Sequence, residues 1–301
     1  MSAEAASAPH AEPDSTTSQV VVAASEPLPS STDPTMPELE RELVRRLKTG
    51  RAALPVLPAV AQSAIRLAND PDARITDLAS LVDTDPPIAA RFMSVANSVI
   101  YFRGWVTSST QSAIVRLGLA STRDLLFQVV YATTSGGLKR YQSAVQASFR
   151  RSVLAAHAAR VISRELSIGS EYDYMSGLLH DIGEARIYRI LDGMKDSLNE
   201  RGDAKLVREL VRKYHESAGA EVAMAWKLPT EIVDACAAHH DASAARAPHV
   251  RLVMIADCVV DALDEDAEVN FAAFDRLLVD PTIARRLIEK TRPFVSHGEK
   301  I

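Results

Sequence analysis

Apolar residues recur every three or four positions along most of this chain, and no segment shows a sustained alternation of apolar and polar residues. No Asn-Gly or Asp-Gly pair joins two β-rich runs, so the sequence offers no hairpin. Alanine, leucine and arginine are abundant and aromatic residues make up only 5%, which favours helix over strand. The pattern predicts an all-α fold.

The chain divides into three parts. Residues 1–36 are rich in Ser, Thr, Ala and Pro, and we expect a disordered tail there because such a segment cannot bury a packed core. Residues 37–140 begin with the amphipathic stretch PELERELVRRL and continue as a series of short helices. Residues 141–301 carry further helical patterns, at 141–166, 174–191, 204–214, 215–226, 230–239 and 247–263, with a last helical pair within 270–291.

Charge and apolar content bound the location of the protein. A net charge of −5 gives no general attraction for nucleic acid or an anionic membrane. The longest apolar run near the start, residues 20–24, is too short to span a bilayer, and no Lys or Arg precedes Arg41 as a secretory signal would require. Cys236 and Cys258 lie in apolar helical patterns and are expected to be buried thiols of a reducing compartment. The sequence therefore predicts a cytoplasmic protein that does not bind membranes.

Several histidines and aspartates have the chemistry of metal ligands. Metal-dependent hydrolysis needs several such side chains converging on one or two cations. Taken singly, each has an ordinary structural explanation, such as a helix terminus or an ion pair between helices. One shared site explains all of them at once, so we expect them to converge. The candidates are His180 and Asp181, which precede Gly183, then His215, the pair His239 and His240, and Asp257 within an apolar helix.

One stretch of the chain resembles the HDOD domain family. Asp85-Pro86, Arg91 and Asn97-Ser98, followed by the aromatic Tyr101, are similar to the family signature. The resemblance extends over about residues 51–265, with further matches at 54–58, 113–118, 177–183, 215–219, 226–229 and 239–240. It implies a helical bundle of two lobes, here residues 37–140 and 141–301. The second lobe would be related to HD-type phosphohydrolases and cyclic-dinucleotide phosphodiesterases.

The resemblance also implies a metal site that lacks one ligand. By position, the six candidate His and Asp residues are similar to the metal ligands of HD enzymes. Arg151, however, stands where the family often has a His before a Ser, and a guanidinium has no lone pair for a cation. His157 cannot replace it, because six residues along a helix turn the side chain by about 240°. The resemblance therefore implies no resident cofactor, although a divalent Fe, Mn or Zn could still be held.

The missing ligand leads to a hypothesis about Arg151. A buried pair of unpaired carboxylates would be costly, so we expect the guanidinium to pair with Asp181 or Asp257 in place of a metal. If the chain were instead a phosphohydrolase that tolerates the loss of one ligand, Arg151 could hold a phosphate of the substrate.

Three functions remain open at this point. The resemblance favours a regulatory module that binds a signalling partner protein, or a nucleotide, without catalysis. The alternative is a metal-dependent phosphohydrolase or cyclic-dinucleotide phosphodiesterase, although no Gly-Tyr-Pro follows the second series of helices. A nucleic-acid-binding regulator is the third. Residues 75–97 have helix-turn-helix spacing, but the second helix carries one basic residue, Arg91, so core packing is the better interpretation.

Overall fold

The computed structural model describes residues 28–30, 37–49, 62–63, 74–98, 104–134, 136–194, 204–264 and 268–295. Every regular element in these ranges is a helix, so the all-α prediction is confirmed. Most of the predicted tail, together with the family matches at 54–58 and Tyr101, lies outside the described residues. None of the helices within these ranges is long and apolar enough to cross a membrane.

The helices are numbered here in chain order. They are α1 (Glu38–Thr49), α2 (Ile75–Asp83), α3 (Pro86–Ala96), α4 (Thr110–Leu117), α5 (Leu119–Thr134), α6 (Gln142–Leu166), α7 (Asp173–Leu179), α8 (Ile182–Asp192), α9 (Ala204–Ala225), α10 (Thr230–Ala238), α11 (Pro248–Asp261), α12 (Phe271–Arg276) and α13 (Pro281–Thr291). Short 3-10 helices follow α10, at Ala242–Arg246, and α13, at Arg292–Phe294.

The N-terminal lobe consists of α2 to α5 around one apolar core. Asp85 starts α3 as the sequence predicts: its carboxylate accepts the Ile88 N–H at 3.1 Å, while Pro86 occupies the first turn, where no donor is lost. Ile88 and Phe92 are fully buried in this core. The apolar face of the α2–α3 pair is therefore used for packing, which agrees with the core interpretation of its helix-turn-helix spacing.

Asn97, which follows the last residue of α3, holds the backbone of Thr107. Its Oδ1 accepts the N–H of Thr107 at 2.8 Å, and its Nδ2 donates to the carbonyl of the same residue at 3.0 Å. Thr107 is buried, so this one amide satisfies both backbone groups of a residue that water does not reach. The signature asparagine thus has a structural role, since it ties the end of α3 to residue 107.

We expect Asn97→Asp to destabilise the protein by about 1–3 kcal/mol. The carboxylate keeps the bond from the Thr107 N–H, but its second oxygen faces the Thr107 carbonyl, and two acceptors cannot pair. Thermal unfolding monitored by circular dichroism measures the effect. Asn270→Asp is the control, because Asn270 only accepts the Ala273 N–H at the start of α12, a role that aspartate fills equally well. Equal unfolding temperatures for the two variants would contradict this role for Asn97.

The second lobe is built around the long helix α6, which packs against α7, α11 and α13. Helix α5 belongs to both lobes: Leu126 faces the N-terminal core, whereas Phe127 and Tyr131 pack into the second. Tyr131 meets the Phe149 ring of α6 edge to face, with centroids 5.1 Å apart. The two lobes are thus joined through a shared helix.

Cys236 is buried as predicted, but Cys258 is only partly buried, and neither forms a disulfide.

Helix α1 departs from the predicted grouping of residues 37–140. Its buried leucine stripe, Leu39, Leu43 and Leu47, packs with residues of α8 and α9 in the second lobe, not with α2 to α5. Glu40 reinforces the contact by accepting from Tyr214 Oη at 2.6 Å and Lys213 Nζ at 2.8 Å. The leucine stripe could be predicted from the sequence, but its partner could not, because the residues that cover it lie more than 130 positions further along the chain.

Two helix boundaries also differ from the predictions. Residues 174–191, predicted as one helix, belong to two helices, α7 and α8, which are separated at His180 and Asp181. The break was missed because the apolar spacing continues across these two residues. The patterns at 204–214 and 215–226 are one continuous helix, α9, in which Gly219 is an interior residue in close contact with α8.

Candidate metal centre

The six predicted ligands come together in the second lobe. His180 and Asp181 lie at the junction of α7 and α8, His215 lies within α9, and Asp257 lies within α11. His239 and His240 follow the last residue of α10. Because α8, α9, α10 and α11 end or cross at this point, residues up to 77 positions apart become neighbours. The convergence expected from the sequence is therefore present in the structure.

Three of the histidines have the same orientation. In each ring, Nδ1 lies within hydrogen-bonding distance of a backbone carbonyl, which can only accept. Nδ1 therefore carries the proton, and the lone pair of Nε2 is directed into the cluster, as in histidines that bind metals. These pairs are His180 with Gly177 at 2.9 Å, His215 with Arg212 at 3.0 Å, and His239 with Ala235 at 2.9 Å.

The Nε2 atoms of His215 and His239 lie 3.2 Å apart. Asp181 Oδ1 lies 3.2 Å from the Nε2 atom of His239 and 3.5 Å from that of His215. Two lone pairs this close repel each other unless a proton or a cation lies between them. Ligands that bind one cation at about 2.1 Å are separated by about 3.0–3.4 Å at angles between 90° and tetrahedral. The spacing and the donor types therefore fit a single divalent cation, and His240 offers a further ligand atom within 4.8 Å.

His180 lies behind this group and links two carboxylates. Its Nε2 atom is 3.2 Å from Asp257 Oδ1 and 3.2 Å from Asp181 Oδ2. The ring is only 1% exposed. His180, His239 and Asp257 thus form a second group of atoms close enough to share a cation.

The cluster favours positive charge at two of its four histidines, since burial lowers the pKa of His215 and lowers that of His240 to about 4. Burial opposes protonation of His180, but the carboxylates of Asp181 and Asp257 outweigh it and raise the pKa of His180 well above its usual value. Burial likewise opposes protonation of His239, and Asp181 again raises its pKa. For Asp181, burial acts to raise the pKa, yet His180 and His239 hold it well below the usual range. Protons and a metal ion would therefore compete for the same lone pairs.

Arg151 does not form the predicted pair with Asp181 or Asp257. Its Nη2 donates to Asp261 Oδ1 at 2.6 Å and its Nη1 to Asp264 Oδ2 at 3.2 Å. Because Asp261 ends α11 and the Arg151 side chain is 40% exposed, this ion pair lies at the edge of the site rather than in place of a metal. His157 stays outside the cluster as predicted, with its ring stacked on Phe294 at 4.4 Å.

Some residues at the site were not singled out from the sequence. Glu184 lies one turn after Asp181 on α8, and burial together with the Asp181 carboxylate raises its pKa to about 7. The i, i+3 spacing on one helix face was the available signal. Several of the predicted ligands line a pocket of about 410 Å³ together with residues that were not predicted from the sequence. The lining residues are Arg151, Asp181, Glu184, Tyr188, Arg208, Val211, Arg212, His215, His240, Asp257 and Asp261.

The signature residues of the N-terminal lobe are not part of this site. Asp85, Pro86, Arg91, Asn97 and Ser98 lie on α3 or at its ends. None of them lines the pocket or belongs to the groups that can hold a metal. Among the described residues, the signature residues therefore belong to the fold of the first lobe and not to the candidate metal centre of the second.

Solved structures share this fold. A Shewanella amazonensis protein described as a metal-dependent phosphohydrolase superposes with a TM-score of 0.67 at 21% identity, covering 86% of this chain and 97% of that chain. A Geobacter sulfurreducens HDOD domain protein superposes with a TM-score of 0.58 at 24% identity, covering 86% and 93%. At these identities the likeness establishes the fold alone, a bundle of helices in two lobes.

Sequence relatives cover smaller portions of both chains. An uncharacterized protein of Treponema pallidum is 23% identical over 198 residues, which are 62% of this chain and 38% of that protein. Ribonuclease Y of Mycoplasmoides gallisepticum is 31% identical over 132 residues, which are 42% of this chain and 21% of that protein. The match thus spans less than two fifths of the length of either relative.

The family itself is established by a different comparison. The HDOD domain model matches residues 54–242, which is more than half of the chain. That range contains the capped helix α3, Asn97 and all of the clustered ligands except Asp257. The chain belongs to the HDOD domain family.

Proposed function

We propose that this chain is a regulatory HDOD module that holds one divalent cation and acts by binding a signalling partner or a nucleotide, without hydrolysis. The observation that carries the proposal is the convergence of His215, His239 and Asp181 at ligand spacing. By the family resemblance, Arg151 stands where a further ligand is expected. A Marinobacter aquaeolei protein of the same fold, with a TM-score of 0.57, is described as a signal transduction protein, which supports a regulatory role.

The residues divide into those that would hold the cation and those that support them. His215, His239, His240 and Asp181 form one ligand group around a common point. His180 and Asp257 lie behind it and fix the orientation of Asp181. A cation bound there would supply positive charge and attract an anionic ligand. Arg151 contributes no lone pair from α6, so a second cation has fewer ligands than the first.

Metal analysis tests the proposal directly. The purified protein is dialysed separately against Fe²⁺, Mn²⁺ and Zn²⁺, freed of excess metal, and measured by inductively coupled plasma mass spectrometry. We expect about one equivalent of cation per chain for at least one metal. The same samples are assayed for hydrolysis of nucleotides and phosphoesters, where we expect none. Less than a tenth of an equivalent for every metal, or turnover by the loaded protein, contradicts the proposal.

A metal-dependent phosphohydrolase is the second candidate, because Glu184 favours it. This carboxyl group lines the pocket, and its pKa of about 7 is near the value of an effective general base. The curated relatives include ribonuclease Y of Thermus thermophilus, 28% identical over 160 residues, which are 53% of this chain and 22% of that protein. Hydrolysis by the loaded wild-type chain would favour this candidate over the regulatory one.

Replacing Arg151 tests whether its position is the missing ligand. We expect Arg151→His to bind about two equivalents of cation where the wild type binds one, because imidazole supplies the lone pair that guanidinium lacks. The measurement is the metal content after the same dialysis. Arg150→His is the matched control, since it makes the same change one residue earlier on α6, at an exposed position that does not line the pocket. Equal metal contents for the two variants would show that position 151 is not a ligand position.

A further inference from the structure

Two arginines of the pocket have no partner in the described part of the chain. Arg208 and Arg212 lie one turn apart on α9, and His215 lies about one turn beyond Arg212 on the same face. Both side chains are exposed and line the pocket, yet neither has an ion pair or hydrogen bond to another described residue. Basic residues nearby are engaged: Arg151 pairs with Asp261, and Lys213 pairs with Glu40.

Three carboxyl groups line the same pocket. They are Asp181, Glu184 and Asp257, and they line it together with the two arginines. Without a cation, these carboxylates offset any positive charge on the neighbouring histidines and weaken the attraction of Arg208 and Arg212 for an anion. A divalent cation held by Asp181 and the histidines makes this side of the pocket more positive. The pocket then presents positive charge on two sides, at the cluster and along α9.

We propose that Arg208 and Arg212 bind the phosphoryl group of a small phosphate-bearing ligand, and that they do so when the cluster holds its cation. The inference rests on the cation site of the proposed function and names the ligand chemistry of that site. Guanidinium groups match the oxygens of a phosphate in forked hydrogen bonds. A phosphoryl group has three terminal oxygens, enough to meet two arginines and a cation at once, whereas a carboxylate has only two. A volume of about 410 Å³ suits a small molecule.

The cation and the phosphoryl group should increase each other's affinity. Each neutralises charge that opposes the binding of the other, and linkage requires that the two factors be equal. We expect a coupling of about 5- to 150-fold, the usual range for two linked sites. A site in which arginines alone bound phosphate would show no such coupling.

Isothermal titration calorimetry tests the proposal on the full chain. Inorganic phosphate and adenosine monophosphate are titrated separately into metal-free protein and into protein loaded with Mn²⁺. We expect binding to the loaded protein and at least fivefold weaker binding to the metal-free protein. Tighter binding of adenosine monophosphate than of phosphate assigns the site to a phosphomonoester, and the reverse assigns it to free phosphate.

Variants of α9 separate the arginines from the rest of the pocket. We expect Arg208→Gln combined with Arg212→Gln to lower phosphate affinity of the loaded protein at least tenfold, while the bound cation stays at the wild-type level. Lys205→Gln is the matched control on the same helix, since Lys205 is exposed and does not line the pocket. It should bind phosphate as the wild type does.

Failure of this inference and failure of the cation site are distinguishable. If the chain binds Mn²⁺ but neither phosphate nor adenosine monophosphate, the phosphoryl proposal is wrong and the cation proposal stands. If the double variant binds phosphate as tightly as Lys205→Gln, the two arginines are not the site. If no cation binds and phosphate affinity is the same with and without metal, both proposals fail.

Discussion

Replacing Gly183 with alanine is expected to prevent formation of the native second lobe. A Cβ atom built on Gly183 would fall on the His215 carbonyl oxygen and within 2.6 Å of the Gly219 nitrogen. Both obstacles are backbone atoms, so no side chain can rotate away, and α8 would have to separate from α9. Overpacking typically costs about 1–3 kcal/mol and occasionally more, and we expect the upper end or beyond here because only backbone atoms stand in the way. Thermal unfolding and the yield of folded protein measure the loss.

Gly193→Ala is the control for this prediction. Gly193 follows α8 with a φ of −82°, which any residue adopts, and an added Cβ would lie 3.6 Å or more from its nearest neighbour. Replacing such a glycine changes stability little, or raises it by about 0.4–1 kcal/mol through the unfolded state. A Gly183→Ala protein that unfolds at the same temperature as Gly193→Ala would show that the α8–α9 crossing is looser than the structure has it.

The ligand types of the site were predictable because they depend on chemistry that each residue carries alone. A carboxylate in the apolar stripe of α11 costs free energy unless it is paired, hydrogen-bonded or bound to a cation. Asp257 could therefore be predicted from the sequence as a site residue, together with the adjacent His180-Asp181 pair. Gly183 was visible for a similar reason, since glycine beside such a pair allows a close approach of backbone. The structure confirms that close approach at the contact with α9.

The partner of Arg151 was not predictable. Asp261 and Asp264 lie 110 and 113 residues further along the chain, and the sequence gives no sign of which carboxylate the guanidinium reaches. Asp257 lies one helical turn before Asp261 on α11, so the choice between them depends on where α6 crosses α11. Helix periodicity reports which face is buried but not the position of the crossing.

The same limit explains the grouping of α1 with the second lobe. Its leucine stripe required a covering surface, and proximity in sequence suggested α2 to α5. The covering residues, which include Ile187 and Leu210, lie on α8 and α9 instead. Arg186 fixes this arrangement from within the core: it is 1% exposed and donates to Glu221 at 2.6 Å and to the carbonyls of Ala218 and Leu47.

Asp181→Asn is expected to lower the affinity for the divalent cation by about 100-fold or more. Asp181 is the only carboxylate in the described ligand group that also contains His215 and His239, and its Oδ1 lies 3.2 Å from the Nε2 atom of His239. Asparagine keeps the size of the side chain but loses the charge that the cation requires. Loss of a residue that merely supports a ligand costs about 10- to 100-fold in metal affinity, so loss of a ligand should cost at least as much. Equilibrium dialysis followed by metal analysis gives the affinity.

Asp234→Asn separates this effect from the general loss of a buried Asp–His pair. Asp234 lies 3.2 Å from His249, and its side chain is 13% exposed, close to the 18% of Asp181, but the pair lies outside the ligand groups. We therefore expect Asp234→Asn to bind the cation as the wild type does, although both variants lose an ion pair of similar geometry. If Asp234→Asn lost as much cation affinity as Asp181→Asn, the loss would come from the stability of the lobe. If Asp181→Asn kept the wild-type affinity, the cation would have to bind through the histidines alone, and the charge of the cluster would not be what selects it.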